Sequence, residues 1–295
     1  MKLILSAVLI FTCTFIFSQT ITDKSLLWKV YGNGASDTSY LYGTIHMIEK
    51  KDFKITPQIK RTFKRANTLV MEVNLEMDDQ TKKVIAKQIM FPNRKTIKDY
   101  LSLSDYQYFH SYMIDTLKIM PLKVTIYEMM TPFFLQAIIL KEQMNKAVSY
   151  EEKYAKMAKK KEKLFVETIQ EQLNVVAGDS LDIQAEKLIK DIRAGKMNAT
   201  SEFKKMTDLY VQQDLQGLYN YIVQSMLESE ETPEKSKEMI AKMLVNRNKN
   251  WIPKLENWMK KKSLFIAVGA GHLAGDEGVI NLLKRQGYTV EPVFN

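Results

Sequence analysis

Apolar positions follow two different patterns along this chain, and the patterns divide it. Near both ends the apolar residues come in short β-prone runs, and between them they recur at helical spacing. Ser25–Tyr31 (Ser-Leu-Leu-Trp-Lys-Val-Tyr) and Ser39–Thr44 predict two strands. The segment between them, Gly32–Thr38, is rich in turn formers and predicts a β-hairpin. Thr56-Pro57 supplies a cap and a first-turn proline for a helix with Ile59, Phe63 and Ala66 on one face. Thr68–Val73 reads as a third strand, apolar except for Glu72. From about residue 78 to about residue 259 the pattern is helical, as in Tyr106–Ile119, Pro132–Asn145, Glu186–Arg193 and Ser201–Leu227. One strand near residues 164–167 interrupts it and leads into a helix at Thr168, and Thr232-Pro233 restarts a helix running towards Asn250. Leu264–Val268 predicts a further strand, then a helix near Glu277–Gln286 ended by Gly287, and a last strand Tyr288–Val293. Strands at both ends around a helical middle predict an α/β fold: a mixed central sheet built from the N- and C-terminal segments, carrying a large helical region.

Composition narrows the setting. At 295 residues, with 45% apolar and 26% charged positions, the chain has the makeup of a globular protein that buries a substantial core. Lys2 followed by the apolar run Leu3–Phe17 and the small residue Ser18 reads as a secretory signal peptide, residues 1–18, too short for a comfortable span. That reading predicts a periplasmic or secreted protein with no stable membrane span after cleavage. Cys13 is the single cysteine and lies in the leader, so the mature chain has no disulfide or thiolate chemistry. The net charge of +9 comes from lysines spread among glutamates, as in Lys153–Lys163. No basic stripe interleaved with aromatics is present, which argues against a nucleic-acid partner.

Candidate chemistry gathers on two motifs that echo each other. Tyr40-Leu-Tyr-Gly-Thr-Ile-His46 and Leu264-Phe-Ile-Ala-Val-Gly-Ala-Gly-His272 are β-prone runs that break at a glycine and place a histidine three residues later. Two of the three histidines sit in this setting, which points to a shared site. Glu72 lies in an apolar strand and Glu167 in a similar context, and a buried carboxylate must be paired, protonated or cation-bound. Glu167 has the alternative of capping the following helix. Two imidazoles with one or two carboxylates suit Zn²⁺, Mn²⁺ or Co²⁺, and such an ion activates water and polarises carbonyls. Arg247, in a polar run before Trp251, is a candidate clamp for a carboxylate or oxyanion. Gly269, Gly271 and Gly275 lack the lysine and spacing of a nucleotide loop. His110, in a tyrosine-rich helix, reads as structural.

The same residues carry a resemblance. Trp28-Lys-Val, Tyr40–His46, Leu69–Val73, Val166–Gln172, Arg247-Asn248 with Trp251, and Phe265–Gly275 occur in the order seen in the TraB/GumN family. The chain resembles that family, including its metal-dependent Tiki proteases, over nearly all of residues 19–295, which implies a single domain. It is also similar to erythromycin-esterase-like and ChaN-like folds, whose paired histidines and glutamates line a cleft. The resemblance implies a hydrolytic metal site acting on a peptide or small-molecule substrate, with His46, His272 and at least one of Glu72 or Glu167 holding the ion, the other glutamate as general base on the bound water, and Arg247 steadying the oxyanion. Two other readings stay open at this stage: a non-catalytic heme- or ligand-binding protein, and a metal-independent esterase with His46 as base oriented by Glu72.

Overall fold

The structure is a computed structural model that describes residues 20–74, 76, 79–144, 146–197, 202–229 and 232–294. The expected leader 1–18 lies outside these residues, as do Asp78, Asn145 and Ser201 at the edges of expected helical stretches. The eight strands among the described residues are β1 (Leu27–Tyr31), β2 (Ser39–Thr44), β3 (Ile48–Glu49), β4 (Thr68–Met71), β5 (Ala147–Val148), β6 (Glu162–Phe165), β7 (Leu264–Gly269) and β8 (Thr289–Pro292). Six of them form one mixed sheet in the order β6-β4-β7-β2-β1-β8, as the α/β pattern predicts. The neighbours β6, β4, β7 and β2 run parallel, while β1 lies antiparallel to β2 and β8. The short pair β3-β5 is a separate ladder that the apolar pattern does not announce.

Burial explains the strand sequences. The interior strands β2, β4 and β7 are buried along their whole length, which is why Leu264-Phe-Ile-Ala-Val reads as one continuous apolar run. Charged side chains mark the two edges. Glu162 of β6 pairs with Lys262 at 2.6 Å, and Glu291 of β8 pairs with Lys29 at 2.7 Å, which discourages pairing with further strands. Helices cover both faces of the sheet through residues such as Ile59 and Phe63, Tyr150 and Tyr154, Trp251 and Leu255, and Val279 and Leu283. A second apolar core, with Phe91, Ile97, Phe109, Met113, Val124, Leu135, Ile139 and Leu188, holds the helical middle together. Among the described residues no helix is long and apolar enough to cross a membrane.

Local chemistry moves several expected boundaries. The stretch Ser201–Leu227 is two helices, Glu202–Val211 and Leu215–Ser229, because Gln213 takes φ of 58° and Asp214 Oδ1 accepts from Gly217 N–H at 2.8 Å as a new cap. The helix expected over Tyr106–Ile119 begins at Leu103 on its Ser102 cap, and a π-helical turn, Tyr112–Thr116, follows it. Past Thr232-Pro233 the helical chain runs beyond Asn250, through a π-helical turn at Ala241–Val245, and ends at Met259. The third strand stops at Met71, so Glu72 follows the strand rather than lying in it.

Candidate active site

The four parallel strands end on the same side of the sheet, the usual place for a ligand in a parallel α/β sheet. Just past those ends come Glu167 from β6, Glu72 from β4, His272 from β7 and His46 from β2. The ladder continues one step beyond β4 and β6, since Val166 N–H donates to Met71 O at 3.1 Å and Glu167 N–H to Glu72 O at 2.9 Å. Those bonds fix the two glutamates side by side. His272 is delivered by a single 3₁₀ turn, Ala270–His272.

Arg247 ties three of these groups together from the helix Asn246–Met259. Its Nε–H and one Nη2–H donate to Glu167 at 2.7 and 2.9 Å, and its other Nη2–H donates to Glu72 Oε2 at 2.7 Å. Its Nη1 hydrogens go to Met243 O at 3.3 Å and His272 Nε2 at 3.1 Å. All five N–H donors are engaged and the guanidinium is buried, so Arg247 organises the centre from behind. Glu167 is similarly occupied: Trp251 Nε1–H donates to its Oε1 at 2.9 Å, and helix capping falls to Thr168. Glu72 completes its coordination with the Gly269 N–H at 2.7 Å and Gln172 Nε2–H at 3.0 Å.

Protonation states follow from these contacts. Burial would raise the pKa of Glu72, but the charges of His272, His46 and Arg247 and the Gly269 N–H outweigh it and lower it to about 2. Near neutral pH, where His272 carries no charge, His46, Arg247 and the Gly269 N–H carry that stabilisation. Burial, against the pull of Glu72 and with help from Arg247 and His46, lowers the pKa of His272 to about 3. Its tautomer is fixed by a chain of bonds. Glu277 O accepts from Asn248 Nδ2–H at 2.8 Å, so Asn248 presents Oδ1, which accepts from His272 Nδ1–H at 2.7 Å. The His272 Nε2 lone pair therefore faces Arg247 and the site. The imidazole also lies against Trp251, with ring centroids 4.4 Å apart.

His46 stands at the mouth of this arrangement, with 68% of its side chain exposed. Its Nδ1 bonds Glu151 Oε1 at 3.2 Å, and that oxygen also accepts from Thr44 Oγ1 at 2.7 Å. Ser149 Oγ donates to Glu151 Oε2 at 2.8 Å. The protein surrounding the hollow pushes the His46 pKa down, but the bond to Glu151 and the charges of Glu72 and Glu151 raise it to about 9. Water reaches this ring while it sits among carboxylates, so it is the part of the site open to a substrate.

The motif glycines serve by lacking a side chain. Neither needs a left-handed backbone, and Gly269 has φ of −53°. A Cβ on Gly269 would lie 3.2 Å from Glu72 Oε1, 3.6 Å from His272 Cδ2 and 3.8 Å from His46 Nε2. A Cβ on Gly43 would meet Ala270 Cβ at 3.0 Å and Cα at 3.1 Å. Close approach, not a glycine-only backbone conformation, is what these positions require: Gly43 lets β2 touch the 270–272 turn, and Gly269 leaves a cradle between the carboxylate and both imidazoles.

All five sequence candidates therefore lie at one end of the sheet. Glu151, Asn248, Trp251 and Gln172 join them with roles that sequence reasoning did not assign. Among the described residues, no three His, Cys, Asp or Glu side chains converge on an ion position as they stand. His110, on the helix Leu103–Ser111, bonds Glu128 at 2.8 Å and belongs to the helical middle.

A family model described as TraB/PrgY/gumN family matches residues 26–292. The chain belongs to the TraB/PrgY/gumN family. The matched stretch includes both glycine–histidine motifs, both central glutamates and Arg247, so every member of the cluster falls within it. No curated protein and no solved structure matches the chain.

Proposed function

We propose that this family member is a metal-dependent hydrolase, peptidase-like in its substrate, that works in the periplasm or outside the cell. The observation that carries the reading is the cradle at Gly269, where an ionised carboxylate and two imidazole rings surround the place a Cβ would occupy. His46, Glu72 and His272 are the residues that would hold a divalent ion, and the donor set of two nitrogens and one carboxylate oxygen fits Zn²⁺, Mn²⁺ or Co²⁺. When bound, such an ion supplies Lewis acidity and lowers the pKa of water. The fit has two requirements: Arg247 Nη1 must release the His272 Nε2 lone pair it now contacts at 3.1 Å, and His46 must lose its Nε2 proton.

The remaining residues prepare this set. Asn248 holds the proton on His272 Nδ1, Glu151 orients His46 through Nδ1, and Arg247 keeps Glu72 anionic. Glu167 and Trp251 fix Arg247 in turn. The exposed His46–Glu151 pair is placed to take up and release a proton at the open side of the site. That pair also supports a second reading, metal-independent ester or amide hydrolysis with His46 as base, oriented by Glu151 rather than Glu72. The address rests on the leader-like residues 1–18.

Turnover of a peptide library before and after chelation tests the proposal. The metal reading expects loss of turnover on chelation and recovery on adding Zn²⁺, Mn²⁺ or Co²⁺. Turnover that survives chelation but is lost in His46→Ala supports the dyad, and an absence of turnover in metal-loaded protein contradicts both.

A further inference from the structure

One helix of the middle region is turned inside out in its polarity. In Pro121–Tyr127 and the residues flanking it, Val124 and Glu128 are buried, whereas Met120, Leu122, Ile126 and Met129 are 63%, 75%, 53% and 43% exposed. Leu122, Ile126 and Met129 follow the i, i+4, i+7 spacing of one helix face, the face where a solvated helix carries polar residues. Taking about 200 Å² as the full area of each such residue, the exposures of Leu122, Ile126 and Met129 leave roughly 340 Å² of apolar surface on that face, the size of the largest patch on a typical monomer and one that is often functional.

The surroundings of the patch identify that partner. Phe91 N–H donates to Met129 O and Ile97 N–H to Glu128 O, so the loop between them, with exposed Arg94 and Lys95, borders one end of the stripe. Exposed Lys118 precedes the helix at the other end, and exposed Lys123 lies beside Leu122 within it. Of the acids nearby, Asp99 caps Thr96, Glu142 is shared by Tyr127 OH at 2.6 Å and Lys123 at 3.5 Å, and Asp115 is exposed. The rim is therefore net cationic. A like-charged rim repels a second copy of the same face, and roughly 340 Å² falls short of the about 800 Å² per partner in a standard protein interface. A shallow apolar stripe with lysine and arginine around it matches the acyl–headgroup boundary of an anionic bilayer.

We infer that the face formed by Leu122, Ile126 and Met129, rimmed by Arg94, Lys95, Lys118 and Lys123, docks the protein onto an anionic lipid surface without crossing it. This inference stands apart from the hydrolase reading. Co-sedimentation of the purified full chain with vesicles of phosphatidylcholine, alone or mixed with phosphatidylglycerol, tests it. The mixed vesicles should retain the protein and neutral ones at least tenfold less. Both L122D/I126D and K118E/K123E should lower the retained fraction at least tenfold, with thermal melting unchanged because all four side chains are solvent-facing. If L122D/I126D shifts the melt, L122Q/I126Q takes its place. Equal retention of wild type and the apolar-face variant overturns the inference, as does failure of the wild type to sediment with mixed vesicles. A wild-type dimer seen by light scattering and lost in L122D/I126D would also overturn it, since a second copy would then cover the face.

Discussion

Replacing Arg247 by methionine removes the cation that two buried glutamates share. Methionine keeps much of the volume and none of the five donors, so Glu72 and Glu167, both nearly inaccessible, are left facing each other. Breaking a buried ion pair from one side costs about 3–5 kcal/mol, because the remaining charge is desolvated and unpaired. Against a typical total of about 5–15 kcal/mol, that is a large share. The pKa of Glu72, lowered to about 2, agrees in direction: with His272, His46 and the Gly269 N–H, Arg247 is one of the groups that keep this buried carboxylate ionised. The sign of the pH dependence separates this mechanism from lost packing. In the wild type the folded pKa of Glu72 is depressed, so its contribution is present above about pH 4.5 and is lost as pH falls towards 2. In Arg247→Met the buried Glu72 loses that cation and its folded pKa rises above the unfolded value, so the variant should regain stability as pH is lowered from 8 to 5. Urea unfolding followed by tryptophan fluorescence across that range measures both effects. A variant as stable as wild type at pH 7, or a deficit that does not change with pH, would refute the reasoning.

Other substitutions probe the remaining supports. Gly43→Ala should destabilise by about 1–3 kcal/mol, since its Cβ would press on the Ala270 backbone at 3.1 Å, and denaturant midpoints check this. Gly269→Ala should leave the melting temperature little changed but weaken divalent-ion retention at least tenfold, because the new methyl lies 3.2 Å from Glu72 Oε1; calorimetric titration with Mn²⁺ or Zn²⁺ reads it. Glu151→Gln removes the partner that holds His46 protonated, so the imidazole pKa should fall from about 9 towards its ordinary value, as followed by NMR titration. Asn248→Ala should free the His272 tautomer and lower ion affinity 10- to 100-fold while the fold persists, measured by the same titration.

The sheet was readable in the sequence because burial writes itself into the pattern: β7 is apolar throughout since both its faces are covered. Its neighbours were not readable, because nothing in Thr68–Met71 says that it pairs with both Glu162–Phe165 and Leu264–Gly269. The two glycine–histidine motifs were visible as an echo, and the parallel pairing of β2 with β7, which sets Thr44 opposite Gly269, explains why they echo. The reason for their glycines was hidden, since close approach is a property of the packed structure and leaves no local signal. Glu151 was invisible for another reason. An acid in the first turn of a helix capped by Ser149 is ordinary helix chemistry, and its contact with His46 spans 105 residues of chain. Arg247 stood out as an arginine in a polar run before Trp251, but its bidentate grip on Glu167, 80 residues away, is set only when the helix packs across the strand ends.

The metal content of purified wild-type protein and of the His46→Ala/His272→Ala double variant tests the central claim most directly. After dialysis against trace Zn²⁺, Mn²⁺ and Co²⁺, mass spectrometry of the digested protein should find close to one divalent ion per wild-type chain and almost none in the variant. Equal metal content in the two proteins would contradict the claim that these histidines and Glu72 form a metal site.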